Sequence, residues 1–135
     1  MRIELLVNID VADLEKAIVF YRDGLGLTPG RRPLDGTVEM LGASSPIYLL
    51  QKPAGSTPIA RSRRRRDYRR HWTPVHLDLV VADVHAAVDK ARAAGALLEG
   101  KVQSFRWGHM ATLSDPFGNG FCLIQFLGRG YDEPG

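Results

Sequence analysis

Two stretches of the chain share one pattern of apolar and polar positions. Residues 4–18 (ELLVNIDVADLEKAI) and residues 74–88 (PVHLDLVVADVHAAV) alternate as a β-strand does and then change to helical spacing. The segment VAD is identical in both copies, and its aspartates, Asp13 and Asp83, stand where the period changes. A carboxylate at this point can accept hydrogen bonds from the free N–H groups that begin a helix. The pattern therefore predicts a duplicated strand–helix unit with Asp13 and Asp83 as N-caps.

Each predicted helix ends near a glycine and is followed by short strands. In the first half, strands are predicted at 27–34, 37–41 and 46–51, the first of them weakened by two prolines and a glycine. In the second half, they are predicted at 97–104, 107–113 and 120–127, with DPFGN at 115–119 as a turn. We interpret the chain as a single α+β domain of two tandem βαβββ modules. The predicted parts are a first module at 1–52, a linker at 53–73, a second module at 74–127 and a tail at 128–135.

Size and composition are those of one ordinary globular domain. The chain has 135 residues, of which 44% are hydrophobic and 24% charged. No apolar run approaches the roughly 20 residues that cross a bilayer, and the N-terminal MRIELLVNID carries acids where a signal peptide would be apolar. Its single cysteine, Cys122, excludes an internal disulfide and a cysteine-based zinc cluster. We expect a cytoplasmic protein with no membrane partner.

Positive charge is concentrated in one segment. The net charge is +3, and residues 53–73 hold seven of the 18 basic residues but one of the 15 acidic ones. Such a run, here interleaved with Tyr68 and Trp72, is able to contact nucleic acid phosphates. No helix-turn-helix, zinc-finger or RNA-binding pattern surrounds it, so we interpret it as a solvated linker and expect no nucleic acid partner. An interaction module that uses this segment remains an alternative.

Three stretches carry a family resemblance: VADLEKAIVFYRDGLGL at 11–27, VHLDLVVADVHAAVDKARAAGA at 75–96 and WGHMATLSDPFGNGFCLIQF at 107–126. They resemble the vicinal oxygen chelate superfamily, which includes glyoxalase I, extradiol dioxygenases, and bleomycin and fosfomycin resistance proteins. The resemblance implies that two βαβββ modules form an open, cup-shaped mixed sheet. It also implies a divalent metal held by four ligands from the first and last strands of each module, and pairing as a homodimer.

The resemblance places the four metal-ligand positions at Leu6, Tyr48, His76 and Cys122. Leucine cannot bind a metal, and tyrosine binds divalent ions well only as phenolate, which costs free energy to form at neutral pH. His76 is thus the one ordinary ligand of the set, and Cys122 on a central strand is expected to be a buried small side chain rather than a nucleophile. The identity of any cofactor stays unknown, and a complete divalent metal site is not expected.

Strand alternation predicts which side chains share a face with His76. Asp78 lies two residues further along the same strand, and Asn8 is its counterpart in the first module. A histidine beside a carboxylate can act as a general base or bind a substrate acid, but the same pair can also be a buried network that only joins the modules. We predict His76 and Asp78 as catalytic candidates. The predicted ligand-binding residues are Asn8, Tyr48, Trp107, His109 and Cys122.

Two function classes follow from these residues. The first is a protein of the glyoxalase and bleomycin-resistance type that binds a small organic molecule in the cup without the full metal-ligand set. The second is an enzyme of the same fold, either a metal-assisted lyase, isomerase or dioxygenase, or a metal-free enzyme that uses His76 with Asp78. Fold alone does not decide between them.

Overall fold

The computed structural model describes residues 2–134, which form two compact units. The division falls between Arg69 and Arg70, inside the basic segment. Among the described residues, no helix has the length and apolar character needed to cross a membrane.

The first unit is one four-stranded mixed sheet with a helix. Strand β1 (Val7–Val11) leads into helix α1 (Leu14–Val19), which continues as a π-helical turn over Phe20–Gly24. Strands β2 (Thr28–Pro29), β3 (Thr37–Leu41) and β4 (Ile47–Gln51) follow. The spatial order is β1-β4-β3-β2, with β1 parallel to β4 and the other pairs antiparallel.

The second unit repeats this topology. Strand β5 (Leu77–Val80) leads into helix α2 (Val84–Ala93), and strands β6 (Leu97–Leu98), β7 (Gln103–Phe105), β8 (Gly108–Ser114) and β9 (Gly120–Phe126) follow. The order is β5-β9-β8-β6, with β7 also on β8, and β5 is parallel to β9. The α+β class and the tandem of βαβββ units are confirmed, although two predicted strands are shorter or interrupted. Residues 27–34 keep only β2, and residues 97–104 divide into β6 and β7.

Both helices begin in the same way. Asp13 and Asp83 have extended backbones and accept from the N–H of Lys16 and of Ala86, each at 3.1 Å, so both predicted N-caps are confirmed. A second cap was not predicted: the side-chain oxygen of Gln51 accepts from Leu14 N at 2.8 Å, and that of Gln125 from Val84 N at 2.9 Å. Each glutamine lies near the end of its unit's last strand, so a strand side chain ties the helix to the sheet.

These glutamines also show which face of each sheet lies under the helix. Because side chains alternate along a strand, Leu49 shares the helix side with Gln51, and Leu123 shares it with Gln125. The apolar cores lie there. In the first unit the buried set includes Leu14, Ala17, Ile18, Val38, Met40, Ile47 and Leu49. In the second it includes Val84, Val88, Ala91, Ala111, Leu113, Phe121 and Leu123.

The basic segment is bonded to both units at a few positions, although six of its seven arginines are exposed. In the first unit, Arg66 Nε lies 2.7 Å from the Asp10 carboxylate, and the Tyr68 hydroxyl donates to Lys52 O at 2.7 Å. In the second, Arg70 pairs with Glu99, and His71 forms a β-bridge with Asn119. Segment 53–73, predicted as a linker, is therefore divided between the units, and part of its charge is used in intrachain ion pairs.

Candidate functional site

The face of the second sheet that turns away from α2 carries the polar residues predicted from the sequence. Gln125 points to α2, so alternation places Cys122 on the opposite face of β9. Asp78 of β5 is the direct register partner of Cys122 and shares that face. His76 lies just before β5 begins.

His76, Asp78 and Cys122 form one cluster. The Nε2 atom of His76 lies 3.3 Å from an Asp78 carboxylate oxygen, and one potential ligand atom of each residue lies within 4.8 Å of the others. The side chains of His76 and Asp78 are each 42% exposed, whereas Cys122 is buried. The imidazole and the carboxylate are therefore accessible to a ligand, whereas the thiol lies buried next to them.

Trp72 completes this cluster and was not predicted from the sequence. Its indole lies edge-on to the His76 imidazole, with ring centroids 5.3 Å apart. The indole rests directly on the backbone of Gly120, where a Cβ atom would overlap it, and Gly120 N donates to His71 O at 2.9 Å. Gly120 thus lets the end of the basic segment pack a half-buried aromatic ring beside His76. We call His76, Asp78, Cys122 and Trp72 the β5–β9 cluster.

Burial makes the Cys122 thiol a poor acid. Burial first, then the negative charge of Asp78 and a hydrogen bond to that carboxylate, raise the pKa of Cys122 to about 12. The protonated thiol is a hydrogen-bond donor toward Asp78 and not a nucleophile at neutral pH. This agrees with the expectation of a buried, unreactive cysteine.

Alkylation of Cys122 is expected to be very slow. With the pKa near 12, only about 0.1% of the thiol is ionised at pH 9, so iodoacetamide should react far more slowly than with glutathione. Replacing Asp78 with asparagine removes the negative charge and should shift the pH profile of alkylation to lower pH. The exposed Asp89→Asn on α2 serves as the control. A rapid reaction in the parent protein near pH 8 would contradict the assignment.

A second polar group lies on the corresponding face of the first sheet. Tyr48 pairs in register with Asn8 on one side and Glu39 on the other, and its hydroxyl donates to the Glu39 carboxylate at 2.9 Å. The Glu39 side chain is only 6% exposed and receives the Arg31 guanidinium on both oxygens, at 3.2 and 2.9 Å. We call Asn8, Arg31, Glu39 and Tyr48 the β3–β4 cluster.

These hydrogen bonds keep Glu39 ionised. The guanidinium of Arg31, its backbone N–H and the Tyr48 hydroxyl lower the pKa of Glu39 to about 2. Gly30 allows this arrangement because a Cβ there would come within 2.7 Å of a Glu39 oxygen. Sequence reasoning missed Arg31 and Glu39. The available signal was a single charged residue inside the otherwise apolar strand TVEML.

The whole chain can now be compared with known proteins. A family model described as a glyoxalase-like domain matches residues 6–124. The chain belongs to this family. The resemblance to the vicinal oxygen chelate superfamily is thereby confirmed. No curated protein was found to match the sequence.

Solved structures share the fold of this glyoxalase-like protein. Hypothetical protein SA1046 from S. aureus has a TM-score of 0.74 at 23% identity, covering 93% of this chain and 95% of that one. TnmS3, an antibiotic binding protein from Streptomyces sp. CB03234, has a TM-score of 0.66 at 25% identity, covering 94% and 98%. The fosfomycin resistance protein FosX from Listeria monocytogenes has a TM-score of 0.71 at 14% identity, covering 94% and 95%.

The four metal-ligand positions of the superfamily do not make a four-ligand metal site in this glyoxalase-like chain. Leu6 has no donor atom, and it lies before β1 with 56% of its surface exposed. Tyr48 already donates its proton to Glu39, and Cys122 is buried beside its register partner Asp78. His76 alone has an ordinary ligand atom in place, although Asp78 adds a third donor close to His76 and Cys122. The donors here form a three-residue group of His76, Asp78 and Cys122 in place of the superfamily's four positions.

Two predicted ligand-binding residues lie apart from the β5–β9 cluster. His109 pairs with Gln125, and its ring lies 6.2 Å from that of His85 on α2, so it is on the helix side of the sheet. Trp107 is stacked on Phe105 with ring centroids 4.9 Å apart. Its other aromatic neighbours are Phe126, at the end of β9, and Tyr131, in the tail. The structure thus brings together His76, Asp78 and Cys122 in one unit, and Asn8 and Tyr48 in the other.

Proposed function

We propose that this glyoxalase-like protein binds a small organic molecule at the β5–β9 cluster and does so without the superfamily's complete metal-ligand set. The observation that carries the proposal is the juxtaposition of exposed His76 and Asp78 with a half-buried indole. Such a combination of a planar apolar surface and a few convergent polar groups is typical of small-molecule sites. TnmS3, at 25% identity, is an antibiotic binding protein, which supports the same class of function.

Hydrogen bonding takes the place of metal coordination in this proposal. The thiol of Cys122 supports Asp78, and Tyr48 supports Glu39, so each carboxylate is oriented by the side chain directly across from it. An oriented carboxylate and imidazole can fix a ligand by directed hydrogen bonds, with the Trp72 ring supplying contact area. As a binding protein, the molecule would act by sequestration and need no turnover.

A screen of small organic molecules by native mass spectrometry tests this function. Ligands found with the parent protein should be lost or weakened at least about tenfold in His76→Ala, because a ligand would lose a hydrogen bond at the centre of the cluster. His85→Ala, on α2, is the matched control and should bind normally. The proposal fails if binding is unchanged in His76→Ala. It also fails if the purified protein holds about one transition metal per chain that His76→Ala removes.

Catalysis is the second candidate function, and one contact favours it. Asp78 lies 3.3 Å from His76 Nε2, which would leave Nδ1 as the free atom of a general base. In this form, Asp78 orients the ring and stabilises its protonated state, as carboxylates do for catalytic histidines. Turnover of hemithioacetals or catechols that is abolished in His76→Ala would favour an enzyme, whereas saturable binding without turnover would favour sequestration.

A further inference from the structure

The strands of this protein contain few charged residues, and these residues differ in the side chains with which they form ion pairs. Across the nine strands of residues 2–134, the charged side chains are Asp10, Glu39 and Asp78, all carboxylates. Asp10 lies 2.7 Å from Arg66, and Glu39 lies 2.9 Å from Arg31. Asp78 is the only charged residue in the five strands of the second sheet.

Asp78 differs from the other two because no permanent cation neutralises it. In the part of the chain that the structure describes, its ion-pair partner is His76 alone, and its other close polar neighbour is the neutral Cys122 thiol. A carboxylate has about four lone-pair sites, and these two neighbours use only part of them. With 42% of its side chain exposed, Asp78 can accept a further hydrogen bond from a ligand.

The aromatic neighbours favour the same kind of ligand. Trp72 and Asp78 both neighbour the same imidazole, with 5.3 Å between the Trp72 and His76 ring centroids and 3.3 Å between His76 Nε2 and the carboxylate. Indole is the best aromatic partner for a cation, and a planar cation can lie against its face while its N–H groups reach a carboxylate. An anionic ligand would instead be repelled by the Asp78 carboxylate, whose ion-pair partner among residues 2–134 is a histidine and not an arginine or lysine.

We propose that the β5–β9 cluster takes an organic cation, in which a protonated nitrogen on a planar group binds Asp78 beside Trp72 and His76. This rests on the proposed function, since it names the chemical class of ligand for the same cluster. The positive charge of the ligand would neutralise Asp78, as Arg66 neutralises Asp10 and Arg31 neutralises Glu39.

Three probes of nearly equal shape separate charge from shape. Benzamidine is a planar cation, benzamide its neutral analogue and benzoate its anionic analogue. Titrations of ¹⁵N-labelled protein, followed by NMR with a chelator present, should show benzamidine shifting the Trp72 indole N–H signal and binding at least about tenfold more tightly than benzamide. Benzoate should bind more weakly than either.

Asp78→Asn removes the charge while keeping the shape of the side chain. Benzamidine should then bind no better than benzamide, whereas Asp89→Asn, which removes an exposed carboxylate from α2, should leave the preference intact. The three-probe comparison in the parent protein needs no variant, so it stands even if Asp78→Asn folds poorly.

Two outcomes would overturn the cationic ligand. If benzamide or benzoate shifts the Trp72 signal as strongly as benzamidine, and does so in Asp78→Asn as well, the cluster binds small molecules by shape, and only the proposed function survives. If no probe shifts that signal, the cationic class is wrong, and the His76→Ala comparison in the ligand screen decides the proposed function separately.

Discussion

Gly108→Ala is expected to destabilise the second unit by about 3 kcal/mol or more. A Cβ at this position would overlap the backbone carbonyl oxygen of Gln125 and come within 3.0 Å of Phe126 Cα. Gly108 also has φ +155°, a conformation that side chains other than glycine rarely adopt. Because the obstructing atoms belong to the backbone of the neighbouring strand β9, they cannot move away as a flexible side chain would.

Chemical denaturation with Gly100→Ala as a matched control separates the two causes. Gly100 has φ +76° but no atom within 4 Å of its would-be Cβ, so this variant carries backbone strain without overlap. We expect it to cost about 1 kcal/mol. If both variants lose the same stability, contact between β8 and β9 at Gly108 is not as tight as the structure shows.

Glu39→Gln is expected to lower the stability of the first unit near neutral pH by much more than an equivalent surface substitution. The carboxylate is buried and accepts from both Arg31 and Tyr48, and a neutral amide cannot replace either charge-assisted bond. Glu15→Gln is the matched control, since Glu15 pairs with Arg32 at 3.1 Å but both side chains are largely exposed. Thermal unfolding of the two variants gives the comparison.

The same substitution should change how stability depends on pH. The folded pKa of Glu39 is lowered from 4.5 to about 2, so the folded state binds fewer protons than the unfolded chain in this range. Its contribution is therefore fully present above about pH 4.5 and is lost as the pH falls through 2. The stability difference between the parent and Glu39→Gln should shrink over that window, and a constant difference would contradict the assigned Glu39 contacts.

The two clusters show why the fold of a family and its chemistry can separate. Tyr48 and Cys122 occupy corresponding places on β4 and β9, the strands next to the edge strands β1 and β5. Each is paired in register with a carboxylate, but on opposite sides: Glu39 lies on the inner strand β3, and Asp78 lies on the edge strand β5. Arg31 pairs with Glu39 in the first unit, whereas among the described residues of the second unit the ion-pair partner of Asp78 is His76. The fold fixes where Tyr48 and Cys122 lie, and the side chains around them determine which groups can bind there.

Much of the fold was predictable because each strand–helix unit follows a local sequence pattern and the chain contains this pattern twice. Alternation followed by helical spacing requires only neighbouring residues to be read, and Asp13 and Asp83 cap their helices through bonds to residues three positions away. The strand predicted at 27–34 is shorter than expected because, after Pro29, the chain forms a loop whose Arg31 binds Glu39. Gln51 and Gln125 cap helix residues that are 37 and 41 positions away in the sequence, so no local pattern predicts these caps.

The candidate site was only partly predictable for the same reason. Alternation along one strand places His76 and Asp78 on one face, and the repeat indicates Cys122 as a counterpart of Tyr48. Sequence alone determined the duplicated βαβββ architecture and its N-caps, since these depend on residue identity and short-range spacing, and the family resemblance predicted an incomplete ligand set. Only the tertiary structure decided that Trp72 packs on Gly120 beside His76, that Arg31 neutralises Glu39, and that Asp78 pairs within residues 2–134 with His76 instead of an arginine. Those facts depend on strand register and on loops returning to the sheet, where contacts join residues far apart in the chain.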